Sequence, residues 1–474
     1  MINRILIRLK VVQMLYSYML TRTEFKVEAR PDNADISPDR RFAYQTYIDL
    51  LMLLLEITGN DTHSPSQPSA VVTDPRMAKS RLGAALAADS EVRRLIFQNA
   101  SDIDALRPLA QHLHDKVAAS TAFGDFARKR KTDMGLEVAM WSAVIPTTIT
   151  KDQQLMRAMQ ALPGYTLKGL RMGEDMLLET LRSQYAGRAQ YANAREDLEK
   201  SLDKAYELYM SIFALMVELT REQERRIETA KEKHLATAEE RNPNMRFVNN
   251  KFIEKLVECD ALTKFCDENK VSWEGDIVLV NSLLEAITGS ELYHEYMEAE
   301  DNDFAADCDF WRNALRTIVF TNDEFAETLE NKSVFWNDDL QIMGTFALKT
   351  IKQAALHPDS PIEMLPKYKD EEDARFGDEL FCDTVEHHEE YRAYIDRFIN
   401  TGSWDPERMA FMDIIVMLTA ISELINYPKI PLAVTMNEYI EIANDYSTGK
   451  SGQFVNGILF NVVGALRQEG RIIK

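Results

Sequence analysis

A short polar loop near the end of the sequence brings together a positive charge, a hydroxyl group and an aromatic ring. In TGKSGQFVNGILFNVV, residues 448–463, Lys450 and Ser451 stand between two glycines, and Phe454 follows at the start of an apolar helix. Glycine allows a partner to approach the backbone closely. Lys450 supplies charge and Phe454 supplies a ring. We therefore treat this loop as a candidate binding surface.

A second group of cationic and aromatic side chains lies in the first twenty residues. Arg4 and Arg8 lie one turn apart along the edge of a predicted helix, Lys10 follows them, and Tyr16 falls in the apolar stripe. Free amides at a helix start also favour anions, so this end of the helix could hold phosphate groups. The alternative is structural: the arginines flank a core helix, Tyr16 is buried, and Phe454 only staples the last helix.

Motifs that carry catalysis or bind metals are missing from the sequence. There is no P-loop, no HExxH, no GxSxG and no GxGxxG after a strand. The histidine pairs His112/His114 and His387/His388 have no further ligands at zinc spacing, so we expect surface histidines. The four cysteines form no CxxC pair and are expected to be free thiols. We therefore expect no enzyme, no cofactor and no metal site.

Composition limits both the partners and the compartment. The chain has 474 residues, of which 45% are hydrophobic, and a formal net charge of −21. So acidic a molecule is repelled by nucleic acid as a whole, and any nucleic-acid site must be local and basic. Arg8 and Lys10 interrupt the first apolar run, and no run is long enough to span a bilayer. We expect a cytoplasmic protein with no membrane partner.

Helical spacing dominates the sequence, and alternating strand patterns are nearly absent. The stretch 195–234 contains strong helix formers and neither glycine nor proline, which predicts one long helix. The best domain boundary is the segment 357–379, which combines three prolines with a dense acidic run. The sequence therefore predicts an all-α fold of several units.

An internal repeat is the most informative large-scale feature. Residues 43–58 align with 205–220, and residues 141–182 align without a gap with 311–352. Matched pairs include Tyr47/Tyr209, Trp141/Trp311 and Thr180/Thr350. We infer two copies of one helical unit, which form either an extended binding surface or simply a larger core.

The last hundred residues predict a compact helical domain. Asp405 is expected to cap a nearly apolar helix spanning residues 407 to about 425. Within that helix Asp413 must find a partner or lie at the rim. Thr435 and Glu438 fit a capping box for the next helix.

The ordered motifs of this region resemble the C-terminal half of the NusB family. The first helix also resembles that of the family. The carrying residues are Val12-Gln13, Leu15-Tyr16, Tyr18, Ile430-Pro431, Val434, Asn437-Glu438, Ala443, Ser451 and Phe454-Val455-Asn456-Gly457. The resemblance is to a long, Bacteroidetes-type form with an inserted duplication. The resemblance implies a first helix in residues 1–25 that completes the core and a NusB-like domain in residues 369–474. The internal repeat predicts repeat one (26–186) and repeat two (187–368) between them.

The resemblance implies RNA binding and transcription antitermination. NusB proteins bind boxA, a single-stranded RNA element, together with the ribosomal protein NusE in the elongation complex that transcribes rRNA. The RNA-binding residues expected here are Arg4, Arg8, Lys10, Tyr16, Lys450, Ser451 and Phe454. The first helix has fewer arginines than is usual in the family, whereas Lys450 stands where the family often has an acidic residue. The alternative function is an acidic helical scaffold that binds proteins through the repeats.

Overall fold

The structure is a computed structural model that describes residues 2–22, 37–60, 71–98, 106–129, 133–300, 303–336, 338–399 and 410–473. Within these ranges the regular structure is helical and contains no strand. The predicted all-α fold class is therefore confirmed.

The helices follow one another with mostly short connections. In chain order they are α1 (Arg4–Thr21), α2 (Pro38–Ile57), α3 (Arg81–Ala88), α4 (Ser90–Gln98), α5 (Ala110–Ala118), α6 (Thr121–Ala127), α7 (Met134–Val144), α8 (Gln153–Gln160), α9 (Leu167–Lys231), α10 (Ala238–Arg241), α11 (Lys251–Val257), α12 (Asp260–Asn269), α13 (Ile277–Thr288), α14 (Glu291–Glu298), α15 (Phe304–Ala314), α16 (Asp323–Lys332), α17 (Leu340–Leu356), α18 (Glu371–Glu386), α19 (His388–Ile399), α20 (Phe411–Asn426), α21 (Leu432–Tyr446) and α22 (Ser451–Gln468).

The chain divides into two compact units. The inner unit is Thr21–Asn193, and the terminal unit joins Met1–Leu20 to Ala194–Lys474. The terminal unit thus holds most of predicted repeat two together with the predicted C-terminal domain. The units do not divide at residues 368 and 369, and that boundary stays a prediction.

The inner unit is built around α2. From Phe42 to Ile57 every residue of this helix except Gln45 is buried, as expected for a helix that is apolar on all sides. Two glycines of α9 allow it to approach α2 closely. A Cβ added to Gly173 would lie 2.5 Å from the carbonyl oxygen of Ala43.

The terminal unit is built around α20, which is buried from Ile415 to Leu424. It packs against α18, α19, α21 and α22. The first helix returns to this group of helices: a Cβ added to Gly377 of α18 would lie 3.0 Å from the Ile7 side chain of α1. The first twenty residues and the last hundred therefore form one core.

The two predicted repeats share several local features. Helices α7 and α15 each begin after a capping aspartate and each continue into a π-helical turn, Ile145–Ile149 and Leu315–Val319. The aligned residues Trp141 and Trp311 are both fully buried. These features agree with the sequence alignment.

A buried tyrosine–threonine hydrogen bond also recurs. Thr180 Oγ1 donates to Tyr47 Oη at 3.2 Å, and the aligned pair Tyr209 and Thr350 is hydrogen-bonded at 2.8 Å. These recurrences support two similar units, whose common origin stays a prediction.

Three local expectations differ from the structure. Helix α9 begins at Leu167, well before residue 195, because helix formers also fill that preceding stretch. Helix α21 begins after Pro431, so Thr435 lies inside it and does not cap it. Helix α20 begins at Phe411, and the predicted cap Asp405 lies outside the described residues.

The close packing of α9 on α2 predicts opposite effects of one substitution at two helical glycines. Gly173→Ala is expected to destabilise the inner unit by about 1–3 kcal/mol, because backbone must move. Gly464→Ala on α22, where no atom lies within 4 Å of the added carbon, should instead stabilise by up to about 1 kcal/mol. Urea unfolding of both variants measures the difference. Equal effects would contradict the described packing.

Candidate nucleic-acid interface

A buried ion pair joins the first helix to the C-terminal helices. Arg8 on α1 donates from Nε to Glu423 Oε2 at 2.7 Å and from Nη2 to Glu423 Oε1 at 2.9 Å. Both side chains are almost completely buried, at 3% and 0% exposure. Such a bidentate pair satisfies the charges of both groups.

Two further side chains complete the environment of the Glu423 carboxylate. Thr435 Oγ1 donates to Oε1 at 2.8 Å, and Tyr439 Oη donates to Oε2 at 3.0 Å. Burial, together with the Glu423 carboxylate, holds the pKa of Tyr439 well above its ordinary value. The tyrosine therefore keeps its proton and remains a donor. Thr435 serves this buried network instead of the predicted capping box.

Arg8 is thus placed where a phosphate cannot reach it. Burial opposes its charge, yet the hydrogen bonds that Arg8 donates to Glu423 raise the pKa of Arg8 above its ordinary value. The sequence expectation that Arg8 holds phosphate does not agree with this geometry. Helical spacing put Arg8 on the edge of the apolar stripe, but α20 and α21 cover that edge.

Lys10 is buried in the same way. Its Nζ lies 2.7 Å from Asp339 Oδ1 and donates to the carbonyl oxygen of Phe335 at 2.8 Å. Burial raises the pKa of Asp339 to about 6, although Lys10 opposes the shift. The expected phosphate contact of Lys10 also disagrees with its position.

Arg4 is half-buried and paired with acidic residues of α18. Its Nε donates to Asp373 at 2.6 Å, and its Nη2 lies 3.2 Å from Glu372. The guanidinium also lies 5.0 Å from the Phe376 ring centroid. An RNA phosphate would have to compete with two carboxylates for this arginine.

The polar loop divides into a buried and an exposed part. Ser451 is buried, and its hydroxyl donates to Asp413 Oδ2 at 3.0 Å while accepting the backbone N–H of Thr448 at 3.1 Å. Asp413 therefore has a partner at Oδ2, whereas its buried Oδ1 has no hydrogen-bond partner among the described residues. Ser451 does not face solvent, contrary to its expected RNA contact, whereas Lys450 is exposed.

The two candidate groups of the sequence meet through α20. The Tyr16 ring on α1 lies 5.5 Å from the ring of Phe411, the first residue of α20. Two residues further on, Asp413 binds Ser451, which lies between Lys450 and Phe454 at the start of α22. Tyr16, Phe411 and Phe454 are all half-buried. We call Tyr16, Phe411, Lys450 and Phe454 the ring–lysine surface.

Polar groups that the sequence analysis missed continue from this surface. Gln13 Nε2 donates to Asp338 Oδ2 at 3.1 Å. Burial, together with Asp338, raises the pKa of Tyr446, the last residue of α21. Lys10, Gln13 and Asp338 also line a cavity of about 230 Å³. The sequence analysis did not select Phe411 as a site residue. Its position two residues before Asp413, at the start of an apolar helix, could have pointed to it.

The cysteines and histidines that could serve metal or redox chemistry include several that are buried within the protein. Burial raises the pKa of Cys266 to about 11 and that of Cys308 to about 12. His114 is buried, contrary to expectation, and its Nε2 accepts the backbone N–H of Asp74 at 2.8 Å. Across the described ranges, no cluster of side chains is suited to holding a metal ion, and no helix could cross a membrane.

Comparison with known proteins relates the C-terminal part of the chain to one family. The family model described as NusB family matches residues 339–464, beginning before the boundary predicted at residue 369. This match spans α17 to most of α22. No solved structure gives a significant match.

Three curated relatives are each described as transcription antitermination protein NusB. The relative from Salinibacter ruber is 32% identical over 122 residues, which are 26% of this chain and 73% of that protein. The relative from Methylacidiphilum infernorum is 35% identical over 102 residues, or 22% of this chain and 68% of that protein. The relative from Koribacter versatilis is 32% identical over 131 residues, or 28% and 88%.

The buried ion pair predicts a large loss of stability when one partner is removed. Arg8→Met leaves Glu423 charged and buried, and should lower the free energy of unfolding of the terminal unit by about 3–5 kcal/mol. The double variant Arg8→Met/Glu423→Leu should recover most of that loss. Urea unfolding measures both.

The exposed pair Arg195–Asp378 provides the control. Its side chains are 45% and 48% exposed at a distance of 2.7 Å, so Arg195→Met should cost at most about 1 kcal/mol. If Arg8→Met is equally mild, Arg8 has no such structural role.

Proposed function

The chain belongs to the NusB family, and we propose that it acts as a transcription antitermination factor. We propose further that it binds boxA-like single-stranded RNA together with NusE, within an elongation complex that transcribes rRNA. No catalytic step is part of this function. The C-terminal helices and α1 carry it, because the family match and the ring–lysine surface both lie there.

The observation that supports RNA binding most directly is the junction of α1 with the start of α22. Tyr16 and Phe454 are far apart in sequence, but Phe411 contacts the first and Asp413 reaches the residue between Lys450 and Phe454. Single-stranded RNA is recognised by stacking of unpaired bases on aromatic rings. The half-buried rings each keep part of their surface for a base.

Charge at this surface is local and small. Lys450 is exposed, whereas Arg8 and Lys10 are buried in ion pairs. Asp445 is exposed in the last turn of α21, just before the connection to α22. With a net charge of −21 on the chain, we expect modest affinity for RNA alone and tighter binding when NusE contributes contacts of its own.

The proposal is tested by comparing RNA sequences. A boxA RNA and a scrambled RNA of equal composition are titrated against the full chain by gel shift, with and without NusE. We expect higher affinity for the boxA RNA than for the scrambled RNA, and a further gain in affinity for boxA when NusE is present. Equal binding to both RNAs in both conditions would contradict the proposal.

The stacking role of Phe454 predicts a specific loss of RNA affinity. Phe454→Leu keeps an apolar side chain but removes the ring, and should weaken boxA binding by about fivefold or more. Phe460→Leu is the matched control, because Phe460 lies on another face of α22 and is 72% exposed. Fluorescence anisotropy measures both. Equal losses, or none, would exclude stacking on Phe454.

The charge of Lys450 predicts a change in salt dependence. Lys450→Glu should weaken all RNAs alike and reduce the slope of log affinity against log salt by about 0.7 for each lost phosphate contact. Lys429→Glu is the control, because Lys429 is exposed in the loop at the opposite end of α20. An unchanged slope in Lys450→Glu would show that Lys450 contacts no phosphate.

A further inference from the structure

A segment of the chain without helix, which begins with a turn at residues 357–360, occupies a groove in the second repeat. After α17 ends at Leu356, the chain runs without helix until α18. Lys255 of α11 donates to the carbonyl oxygens of Pro358 and Ser360, the latter at 2.9 Å. Its ammonium also lies 4.7 Å from the ring centroid of Phe304. The groove therefore recognises the backbone of the segment.

The rest of the segment is held just as closely. Cys259 Sγ donates to the carbonyl oxygen of Ile362 at 3.6 Å, and the Ile362 side chain is buried. Tyr206 Oη donates to the carbonyl oxygen of Leu365 at 2.8 Å, while the Leu365 N–H donates to Tyr209 Oη at 3.1 Å. A stretch that also contains the acidic residues Asp359 and Glu363 is thus bound along its length.

The first repeat has the corresponding groove without such a segment. Ala85 is the fifth residue of α3, as Lys255 is of α11, and Met134 opens α7, as Phe304 opens α15. Where α17 ends, α9 instead continues as helix. An open cavity of about 660 Å³ remains there, and we call it the first-repeat groove. It is lined by Arg81, Ala84, Ala85, Ala88, Asp133, Met134, Tyr185, Arg188 and Ala189.

The lining of the first-repeat groove indicates the chemistry of its ligand. Alanines of α3 form a shallow floor that lets a backbone approach, and Met134 adds apolar surface. Arg81 and Arg188 are exposed at the groove, and Asp133 is the one acidic residue of the lining, so the lining keeps a net positive charge on an otherwise acidic chain. Opposite charges at a binding surface favour encounter and fix orientation.

We propose that the first-repeat groove binds an acidic, non-helical peptide segment of a protein partner, in the manner in which the second repeat holds Pro358–Leu365. Apolar side chains of the peptide contact the alanine floor and Met134, and its carboxylates lie beside Arg81 and Arg188. This goes beyond the RNA-binding function and gives the inserted region a role of its own. It depends on the correspondence of the two repeats and not on RNA binding.

A labelled peptide copy of residues 357–366, HPDSPIEMLP, tests the proposal by fluorescence anisotropy with the full chain. The account expects saturable binding that a scrambled peptide does not reproduce. Ala85→Lys should tighten binding by about fivefold or more, because it introduces, at the position that corresponds to Lys255, a lysine that can bind peptide carbonyls. Ala84→Glu should weaken it by about fivefold or more through charge repulsion.

Two control variants separate the first-repeat groove from other sites. Ala139→Glu places the same charge at an exposed position of α7 outside the groove, and Lys255→Ala alters the occupied groove of the second repeat. Neither should change peptide affinity. Affinity for boxA RNA should be equal in the wild type and in Ala84→Glu, which keeps this test independent of the RNA-binding proposal.

Several results would overturn the proposal. One is the absence of saturable peptide binding in both the wild type and Ala85→Lys. Another is peptide binding that is abolished by Lys255→Ala but unchanged in Ala84→Glu. Displacement of bound peptide by RNA would assign the groove to nucleic acid. Self-association in sedimentation that Ala84→Glu abolishes would assign it to a second copy of the chain.

Discussion

The buried ion pair between Arg8 and Glu423 is the interaction on which the ring–lysine surface depends. Two opposite charges lie out of water, so each must be fully satisfied within the protein. The guanidinium binds both carboxylate oxygens, and Thr435 and Tyr439 donate to the same two oxygens. Helices α1, α20 and α21 are thereby fixed to one another, although α1 lies at the other end of the sequence.

That junction explains why residues from the two ends of the chain form one surface. With α1 held on α20, Tyr16 contacts Phe411, and the Asp413–Ser451 hydrogen bond sets the start of α22 beside the same end of α20. Arg8 holds α1 on α20, and Ser451 sets the start of α22 beside α20, so both position this surface. Lys450 and the rings of Tyr16, Phe411 and Phe454 form it. The buried basic residues of α1, Arg8 and Lys10, thus stabilise the fold and do not contact RNA.

Much of the architecture could be predicted from the sequence, for identifiable reasons. Helical spacing gave the all-α fold, and the ordered motif from Ile430 to Gly457 gave the family. The burial of Arg8 could not be predicted, because its partner lies 415 positions away and helical spacing does not show which edge of a stripe is covered. Thr435 was misassigned because a threonine three residues before a glutamate fits a helix cap and a buried donor equally well. The contact between Tyr16 and Phe411 joins two segments that are distant in sequence, so no local sequence pattern predicts it.

The most direct test of this account is photochemical cross-linking of boxA RNA to the full chain in the presence of NusE, with the cross-linked residues mapped by mass spectrometry. Aromatic rings that stack on bases should cross-link efficiently, so the account predicts adducts at Phe454 and at Tyr16 or Phe411. Arg8→Met, which leaves the Glu423 carboxylate buried without its partner, should give fewer of these adducts, and Arg8→Met/Glu423→Leu should recover most of them. Cross-links confined to residues 21–193, with none at these rings, would contradict the account.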